Sequence, residues 1–393
     1  MRLVTKLKLN STVLPGWNGI YALSRQLRFA ELFGLRIQRS AGSKLSDDAQ
    51  SRHRWIGWWR GPYWFLALFT GAKSFADNPL LGSVRLNRLG LHVCRVRAAH
   101  WMASKRRRRL AHLIPDDLRD QFDRDGFIVV RNVFPEGEFR LLQRTILQSE
   151  FDCREQVQGD TVTRRVPFSP KLADRLPQIA ALLASDRWSG LLAYAASTRN
   201  RPLYYVQTIS AGRGPGGPDP QLELHSDTFH PSIKAWLFLT DVEKDGRPLA
   251  YVAGSHRATE KRLQWELQKS IEVMQVGDRL SQRGSLRIGH GELEGLGLPQ
   301  PTEFSVPANT LVIADTCGFH ARCSSDRPTV RVELWAYSRR SPFLPWTGGG
   351  LSSWVPFADR RAVWLHAAVD WLDSRGLQKQ HWVRAGKRRP IDA

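Results

Sequence analysis

Short apolar segments separated by turn residues dominate the chain between residues 203 and 337. They are rich in Val, Ile, Leu and aromatic residues, and a Gly/Pro-rich loop at 212–220 follows the first of them. The segments cover residues 203–210, 235–242, 249–254, 309–315 and 329–337. Short runs of this composition, bounded by turn signals, predict β-strands, and several in succession predict a sandwich or a barrel. The chain is therefore expected to fold around a β-rich core.

Helical patterns flank this core on both sides. After Pro115 the acidic residues Asp116 and Asp117 suit a helix start, and Gly126 is placed to end that helix. A short apolar run at 127–130 predicts a strand, and Pro135 and Glu136 open a second helix. Beyond residue 340 the sequence predicts one helix over 358–375, followed by a basic stretch. We therefore expect a C-terminal helical tail at 341–393.

The positive charge of the chain is concentrated in its first 110 residues. The net charge is +21, and residues 1–110 hold 21 Lys and Arg against four acids, a balance of +17. Such asymmetry usually indicates a polyanionic partner, either nucleic acid or an anionic membrane surface. No signal peptide is evident; an acid-free start up to Glu31 leaves an organellar presequence as an alternative. Four cysteines without metal-site spacing indicate a reducing compartment.

Two features of this basic block allow a functional and a structural interpretation. The segment 55–69 places aromatic residues among arginines, a composition typical of a segment lying on a membrane surface or of a helix packed on the next domain. Its Trp and Tyr residues are Trp55, Trp58, Trp59, Tyr63 and Trp64. The run KRRRR at 105–109 is either a solvated linker or a contact for phosphate or lipid headgroups. No apolar run approaches the length that spans a bilayer.

A candidate metal site begins with the single His-x-Asp pattern, His225 and Asp227. Residues two apart on a strand face the same side, so the imidazole and the carboxylate can approach one ion. His320, at the end of a later apolar segment, supplies a third ligand. Two histidines and one carboxylate on one face of an octahedral ion leave positions open, as in non-haem iron(II) oxygenases. Taken alone, His-x-Asp is also compatible with an ordinary surface or core histidine.

Four segments in order resemble the phytanoyl-CoA dioxygenase family of iron(II)- and 2-oxoglutarate-dependent enzymes. They are DGFIVVRNVFPEGEF at 125–139, HSD at 225–227, DGRPLAYVAGSHR at 245–257 and ADTCGFHARCSSDRPTVRVELWAY at 314–337. The resemblance implies an α+β, mainly β fold with a double-stranded β-helix (jelly-roll, cupin-like) core and flanking helices. It also implies a catalytic domain at 111–340, with an insert at 257–305 as a lid and the basic block 1–110 as an N-terminal extension.

The resemblance further implies residues that bind 2-oxoglutarate. Arg331 stands eleven residues beyond His320, where the family has an arginine for the far carboxylate of 2-oxoglutarate. An arginine pointing into a barrel needs an anion, although an exterior Arg331–Glu333 pair is the alternative. Gln207 resembles a family glutamine near the cofactor, and Thr240 is a further candidate for the site.

Other residues near these motifs are expected to have lesser roles. Trp236 is a candidate wall residue, and Arg327 is a rival carboxylate binder located in a loop. Arg322 replaces a small hydroxyl residue of some family members, and either contacts an anionic substrate or faces solvent. The spare histidines are His256, interpreted as structural, His230, and His290.

The resulting functional prediction is a dioxygenase with Fe(II), 2-oxoglutarate and O2, and with ascorbate as a candidate reductant. We expect hydroxylation of an unactivated carbon in a small, lipid-like or acyl substrate, with release of succinate and CO2. The expected location is cytoplasmic, at the inner face of a membrane contacted through residues 1–110. Two alternatives stay open: a nucleic-acid oxidative demethylase of the same iron class, and a non-catalytic jelly-roll binding protein. The oligomeric state is not predicted.

Overall fold

The computed structural model describes residues 60–212, 214, 216–217, 219–275, 278–349 and 358–392. Contacts between Cα atoms divide the chain into two compact units, and the larger one contains the described residues up to Trp364 together with those from His381 onward. Leu365–Gln380 belongs to the other unit. Trp55, Trp58 and Trp59 of the proposed membrane segment lie outside the described residues.

An eight-stranded antiparallel sheet forms the centre of the larger unit. Its strands, in spatial order, are β1, β8, β5, β10, β4, β3, β2 and β11. Their bounds are β1 Phe127–Val130, β2 Phe151–Gln158, β3 Thr161–Pro167, β4 Leu203–Ala211, β5 Ile233–Phe238, β8 Leu311–Asp315, β10 Thr329–Ser338 and β11 Val383–Arg388. Strand β10 pairs with both β4 and β5, which places Glu333 between Gln207 and Phe238.

A small second sheet completes the β core. It consists of β7 (Thr302–Glu303), β6 (Leu249–Tyr251) and β9 (His320–Arg322), again antiparallel. Isolated bridges join His225 to His320 of β9 and to Arg287. The two sheets with their flanking helices confirm the predicted α+β, mainly β fold with a jelly-roll core.

The two faces of the large sheet have different partners. Alternating strand residues such as Leu237, Ile313 and Leu334 pack with helical residues including Leu142 and Ile146 in the main hydrophobic core. The other face holds aromatic residues and the polar side chains of the cleft.

The described helices are α1 Gly61–Ala67, α2 Val84–Arg88, α3 Leu91–Leu110, α4 Asp116–Asp125, α5 Glu136–Gln148, α6 Pro170–Arg175, α7 Pro177–Ala184, α8 Asp186–Ala195, α9 Glu260–Glu272, α10 Arg279–Gln282, α11 His290–Leu296 and α12 Arg361–Ser374.

The described part of the basic block packs into the jelly-roll unit. Arg106 is fully buried and donates to the carbonyl oxygens of Ser197 (3.0 Å) and Pro342 (2.9 Å). Arg95 donates to the carbonyl oxygen of Ala72 (2.7 Å), and Arg107 donates to the carboxylate of Asp315 (2.8 Å). Arg106 and Arg107 therefore belong neither to a solvated linker nor to a headgroup contact, the two interpretations considered for the KRRRR run.

The contacts of the insert and of the C-terminal region bear on the predicted domain organisation. In the insert, Glu266 of α9 contacts His92 of α3 at 2.8 Å, and no described residue of 257–305 lines the cleft. A lid over the cleft thus stays a prediction without a supporting contact. The C-terminal region holds helix α12 as expected, but it also contributes strand β11, which pairs with β2. No helix among the described residues combines the length and the apolar character needed to cross a bilayer.

Candidate metal centre and cleft

Three side chains from separate segments meet beside the small sheet. His225 and His320 exchange backbone hydrogen bonds of 3.0 Å in both directions, and the amide of Asp227 donates to the carbonyl oxygen of Thr316 at 2.8 Å. One ligand atom from each of His225, Asp227 and His320 lies within 4.8 Å of the others. The structure therefore brings the predicted triad together at the distances that one metal ion requires.

Hydrogen bonds to the backbone orient both imidazoles. Nδ1 of His225 lies 2.7 Å from the carbonyl oxygen of Glu223, and Nδ1 of His320 lies 3.0 Å from that of Gly318. Because a carbonyl oxygen only accepts, each Nδ1 carries the proton and each Nε2 presents a lone pair. Nε2 of His320 is buried and has no hydrogen-bond partner within the described residues. This donor set fits a divalent metal ion.

The protonation states of the triad also suit metal ligation. Burial lowers the pKa of His320 to about 4 and holds the pKa of His225 well below its usual value. Burial alone would raise the pKa of Asp227, but Lys234 and the two imidazoles outweigh it and hold that pKa well below its usual range. At neutral pH the site therefore offers two neutral imidazoles and a carboxylate, the forms that bind metals.

Two lysines that the sequence did not single out contact Asp227. The Nζ atom of Lys234 lies 2.7 Å from Oδ2, and Lys73 donates to the backbone carbonyl oxygen of the same residue. Lys234 stands two residues before Trp236 on β5, so strand periodicity offered a signal for it. No comparable signal existed for Lys73, which comes from the segment between α1 and α2.

A cleft with a volume of about 170 Å³, open to solvent, adjoins the triad. Its cationic lining residues are Arg165, Lys234, Arg322 and Arg331. Its tryptophans are Trp236, Trp335 and Trp382, and its glutamines include Gln156, Gln158 and Gln207. The predicted wall position of Trp236 is thus what the structure shows, whereas Arg165 and Trp382 were missed. The lining combines charged, amide and aromatic groups, and its character is polar.

Arg331 and Gln207 lie side by side in this cleft, joined through Glu333. Nε of Arg331 donates to Glu333 Oε2 (2.9 Å), and Nε2 of Gln207 donates to Glu333 Oε1 (2.6 Å). Nη1 of Arg331 donates to the carbonyl oxygen of Arg247 (2.7 Å). The Arg331–Glu333 pair considered as an exterior alternative is therefore interior. It leaves Nη2 of Arg331, a residue that lines the cleft, without a hydrogen bond among the described residues.

The remaining candidates occupy other positions. Thr240 does not line the cleft; its hydroxyl accepts a hydrogen bond from the amide of Val332 (3.1 Å), so its cofactor role has no support from the structure. Arg322 neither faces solvent nor is free, because it pairs with the buried Asp219 at the cleft wall. Arg327 pairs with Glu243 and Asp245 in an exposed position away from the cleft.

The spare histidines lie outside the triad. His256 is buried beside the ring of Phe122, at a centroid distance of 6.0 Å, which agrees with its structural interpretation. His230 is fully buried, with Nδ1 at 3.0 Å from the carbonyl oxygen of Pro231, and His290 is exposed at the start of α11. Among the described residues, the three-residue group able to hold a metal is His225, Asp227 and His320.

Comparison with known proteins gives a family match over part of the chain. Residues 122–278 match the family model described as phytanoyl-CoA dioxygenase (PhyH), in agreement with the resemblance found in the sequence. No curated protein matches the chain.

Several solved structures show a distant likeness. HygX from Streptomyces hygroscopicus, solved with nickel and 2-oxoglutarate, has a TM-score of 0.38 and 18% identity over 57% of this chain and 86% of its own. The epimerase SnoN from nogalamycin biosynthesis has a TM-score of 0.35 and 17% identity over 58% and 82%. AviO1 from Streptomyces viridochromogenes has a TM-score of 0.33 and 16% identity over 57% and 94%. The TM-scores and identities of these structures are low. The interpretation of the site therefore depends on the geometry of the site and on the family match.

Proposed function

We propose, from the match of residues 122–278 to the phytanoyl-CoA dioxygenase family model, that the chain is an iron(II)- and 2-oxoglutarate-dependent dioxygenase that hydroxylates a small-molecule substrate. The single observation that carries the proposal is the convergence of His225, Asp227 and His320 with ligand atoms within 4.8 Å. Two histidines and one carboxylate are the ligand set of non-haem iron(II) oxygenases. Some zinc hydrolases share this donor set, and the family match of residues 122–278 favours iron.

The cofactors of the proposal are Fe(II), 2-oxoglutarate and O2, with ascorbate as a candidate reductant. Iron bound at the triad would supply the activation of O2, with one oxygen atom leaving in succinate after loss of CO2 and the other entering a C–H bond of the substrate. The protein's own contribution is to hold the ligands. The hydrogen bonds from His225 and His320 to backbone carbonyls fix both rings before the metal arrives.

Arg331 is the proposed anchor for the far carboxylate of 2-oxoglutarate. Its Nε and Nη1 atoms are fixed by Glu333 and by the carbonyl oxygen of Arg247, so the guanidinium is oriented before the anion binds. An arginine held in this way loses little side-chain entropy on binding a carboxylate. Gln207 supports the arrangement from β4 through its hydrogen bond to Glu333.

The reaction class is tested by succinate release from 2-oxoglutarate in the presence of Fe(II) and O2. We expect the Asp227→Ala variant to release no succinate under conditions in which the wild type does. The exposed carboxylate of Asp174 on α6 provides a matched control, Asp174→Ala, which should retain the wild-type rate. Equal rates for wild type and Asp227→Ala would contradict the assigned triad.

We propose in addition that the N-terminal region contacts an anionic membrane surface. The support is the exposure of large apolar side chains on and after α1, namely Phe65 (54%), Leu66 (60%) and Phe69 (60%), beside a basic sequence. A lipid-like substrate would follow from that location. The burial of Arg95, Arg106 and Arg107 lessens the charge available for it.

Flotation of the full-length protein with vesicles of phosphatidylcholine and phosphatidylserine tests the membrane proposal. The double substitution Phe65→Ser with Phe69→Ser should reduce the bound fraction, and Leu89→Ser, which removes another exposed apolar side chain, should not. Deleting residues 1–110 is unsuitable, since Arg106 and Arg107 of that block bond to the core. Equal flotation of wild type and double variant would refute the contact.

No observation among the described residues specifically favours either alternative function. For the nucleic-acid demethylase, basic residues of the N-terminal block would have to hold phosphates, yet Arg106 and Arg107 are engaged inside the protein. The non-catalytic binding module would not need a complete set of metal ligands, and all three ligands are in place.

A further inference from the structure

Arg165 of β3 lines the cleft beside two tryptophan rings. Its Cζ atom lies 4.0 Å from the ring centroid of Trp335 and 4.4 Å from that of Trp382. Its Nε atom donates to Oε1 of Gln207 at 2.6 Å. The two rings and the glutamine fix the plane of the guanidinium, and its two Nη nitrogens make no hydrogen bond within the described residues.

Arg165 differs in its charge environment from the other cations of the cleft. Lys234 pairs with Asp227, Arg322 with Asp219, and Arg331 with Glu333. Arg165 forms no ion pair with a carboxylate of the described residues, and burial lowers its pKa to about 10, so it stays charged at neutral pH. A partly desolvated cation held by aromatic rings, with its donor edge free, is suited to an anion brought in from outside.

We propose that Arg165 is the recognition site for an oxyanion, a carboxylate or a phosphate, carried by the substrate. The proposal rests on the proposed function and specifies its substrate as an anionic small molecule. With its Cζ atom close to the rings of Trp335 and Trp382, the guanidinium offers an anion its edge, where the paired N–H groups match two oxygens of a planar or tetrahedral oxyanion. The tryptophan rings exclude water and strengthen that contact.

The position of Arg165 in the sheet separates it from the metal centre. Across the sheet, Arg165 of β3 pairs with Gln207 of β4, and Gln207 pairs with Glu333 of β10. Glu333 in turn pairs with Phe238 of β5. Three strand spacings of about 4.8 Å place the Arg165 backbone ~14 Å from that of β5, the strand that carries Lys234, and the guanidinium reaches across β4 to Trp335 of β10. Arg331 lies on β10, next to β5. A substrate bound to Arg165 would therefore extend along the sheet toward the triad and leave Arg331 to 2-oxoglutarate.

Amide side chains near Arg165 extend the polar end of the cleft. Gln156 and Gln158 of β2 line it, as does Thr163, which pairs with Gln156 across the two strands. These groups can donate and accept hydrogen bonds to polar atoms beside the oxyanion. Strand β11 closes this end of the sheet against β2, and Trp382 immediately precedes it. The C-terminal region thus contributes directly to the proposed recognition site.

Calorimetric titration of the full-length protein, loaded with Mn(II) and saturated with 2-oxoglutarate, tests the proposal. The probes are hexanoate, hexyl phosphate and the uncharged hexanamide. We expect Arg165→Gln to weaken binding of hexanoate or hexyl phosphate by about tenfold to a hundredfold, the range for loss of a charge-assisted hydrogen-bonded pair. Hexanamide binding should change far less. The control Arg144→Gln removes an exposed charge on α5 and should match the wild type.

Each outcome bears on the proposal. Weakening confined to hexanoate identifies a carboxylate, and weakening confined to hexyl phosphate identifies a phosphate; either supports the site. Wild-type binding no tighter for the anions than for hexanamide, or unchanged anion binding in Arg165→Gln, overturns it. So does a variant that loses 2-oxoglutarate instead of the probes, because Arg165 would then belong to the co-substrate site.

A second variant covers the case in which Arg165→Gln fails to fold. Arg165→Lys keeps the charge but removes the paired donors, so anion binding should fall severalfold with hexanamide unaffected; no change would overturn the proposal. The wild-type titration with 2-oxoglutarate separates the two proposals. Failure to bind 2-oxoglutarate would remove the proposed enzymatic function, whereas Arg165-dependent anion binding would stand without it.

Discussion

The guanidinium of Arg107 lies 2.8 Å from the carboxylate of Asp315, whose side chain is fully buried. The contact joins the end of α3 to the last residue of β8, the strand that leads into the segment bearing His320. Arg107 also donates to the carbonyl oxygen of Ala195 at 2.7 Å. A basic run that composition associates with polyanions thus helps to hold the jelly-roll core together.

Replacing Arg107 by methionine should destabilise the protein strongly. The substitution leaves the Asp315 carboxylate buried without its cation, and breaking a buried pair in this way costs about 3–5 kcal/mol. Arg108→Met, which removes an exposed charge from the same run, should change the free energy of unfolding by less than about 0.5 kcal/mol. Chemical denaturation of both variants measures the difference. Similar midpoints for the two would show that the ion pair is not structural.

Strands with an apolar face were predictable from the sequence. The segments 203–210 and 329–337 correspond closely to β4 (Leu203–Ala211) and β10 (Thr329–Ser338). Strand β2 was missed because its sequence, FDCREQVQ, carries polar residues on the face that lines the cleft. Strand β11 was missed because an exposed, basic edge strand offers no hydrophobic periodicity.

The triad was predictable from spacing and from the family resemblance, whereas its surroundings were not. Lys234 contacts Asp227 only because β5 is placed beside the loop that carries the ligand. Arg165 meets Trp382 only because the end of the chain returns to the sheet edge. Such contacts depend on the register and order of strands distant in sequence. Local residue patterns do not contain that information.

Metal binding should stabilise the folded protein through the triad. An ion that binds only the folded state at a hundred times its Kd adds about 2.7 kcal/mol to the free energy of unfolding. Addition of Mn(II) to the metal-free protein should therefore raise the Tm. The rise should disappear in Asp227→Ala and persist in Asp174→Ala. Scanning calorimetry with and without the ion measures both, and a retained rise in Asp227→Ala would place the metal elsewhere.

Exchange of Arg331 for lysine should impair 2-oxoglutarate binding specifically. Lysine keeps the positive charge but cannot both hold Glu333 and present a second nitrogen to a carboxylate. We expect the KM for 2-oxoglutarate to rise by about tenfold or more, in line with the loss of a charge-assisted hydrogen bond. Arg327→Lys, at the exposed rival arginine, should leave this KM unchanged. Steady-state measurement of succinate release gives the KM of each variant. A larger rise of the KM in Arg327→Lys than in Arg331→Lys would assign 2-oxoglutarate binding to Arg327.

Acidification should destabilise the metal-free protein, in part through His256. Burial lowers the pKa of His256 to about 3, with Asp315 opposing and Arg107 and His100 adding to the effect. In the unfolded chain a histidine has a pKa near 6.5. Between these values the unfolded state binds the extra proton, so this contribution to stability is complete above pH ~6.5 and is lost as the pH falls toward about 3.

Each such histidine contributes a slope of at most about 1.4 kcal/mol per pH unit to the free energy of unfolding. His256→Gln should therefore flatten the dependence measured by urea denaturation at several pH values, with EDTA present. His290→Gln, which removes an exposed histidine, should give a profile parallel to that of the wild type. Parallel profiles for His256→Gln and the wild type would mean that His256 is protonated in the folded protein. Asp315, the carboxylate that raises the pKa of His256, would then outweigh the burial of the imidazole beside Phe122.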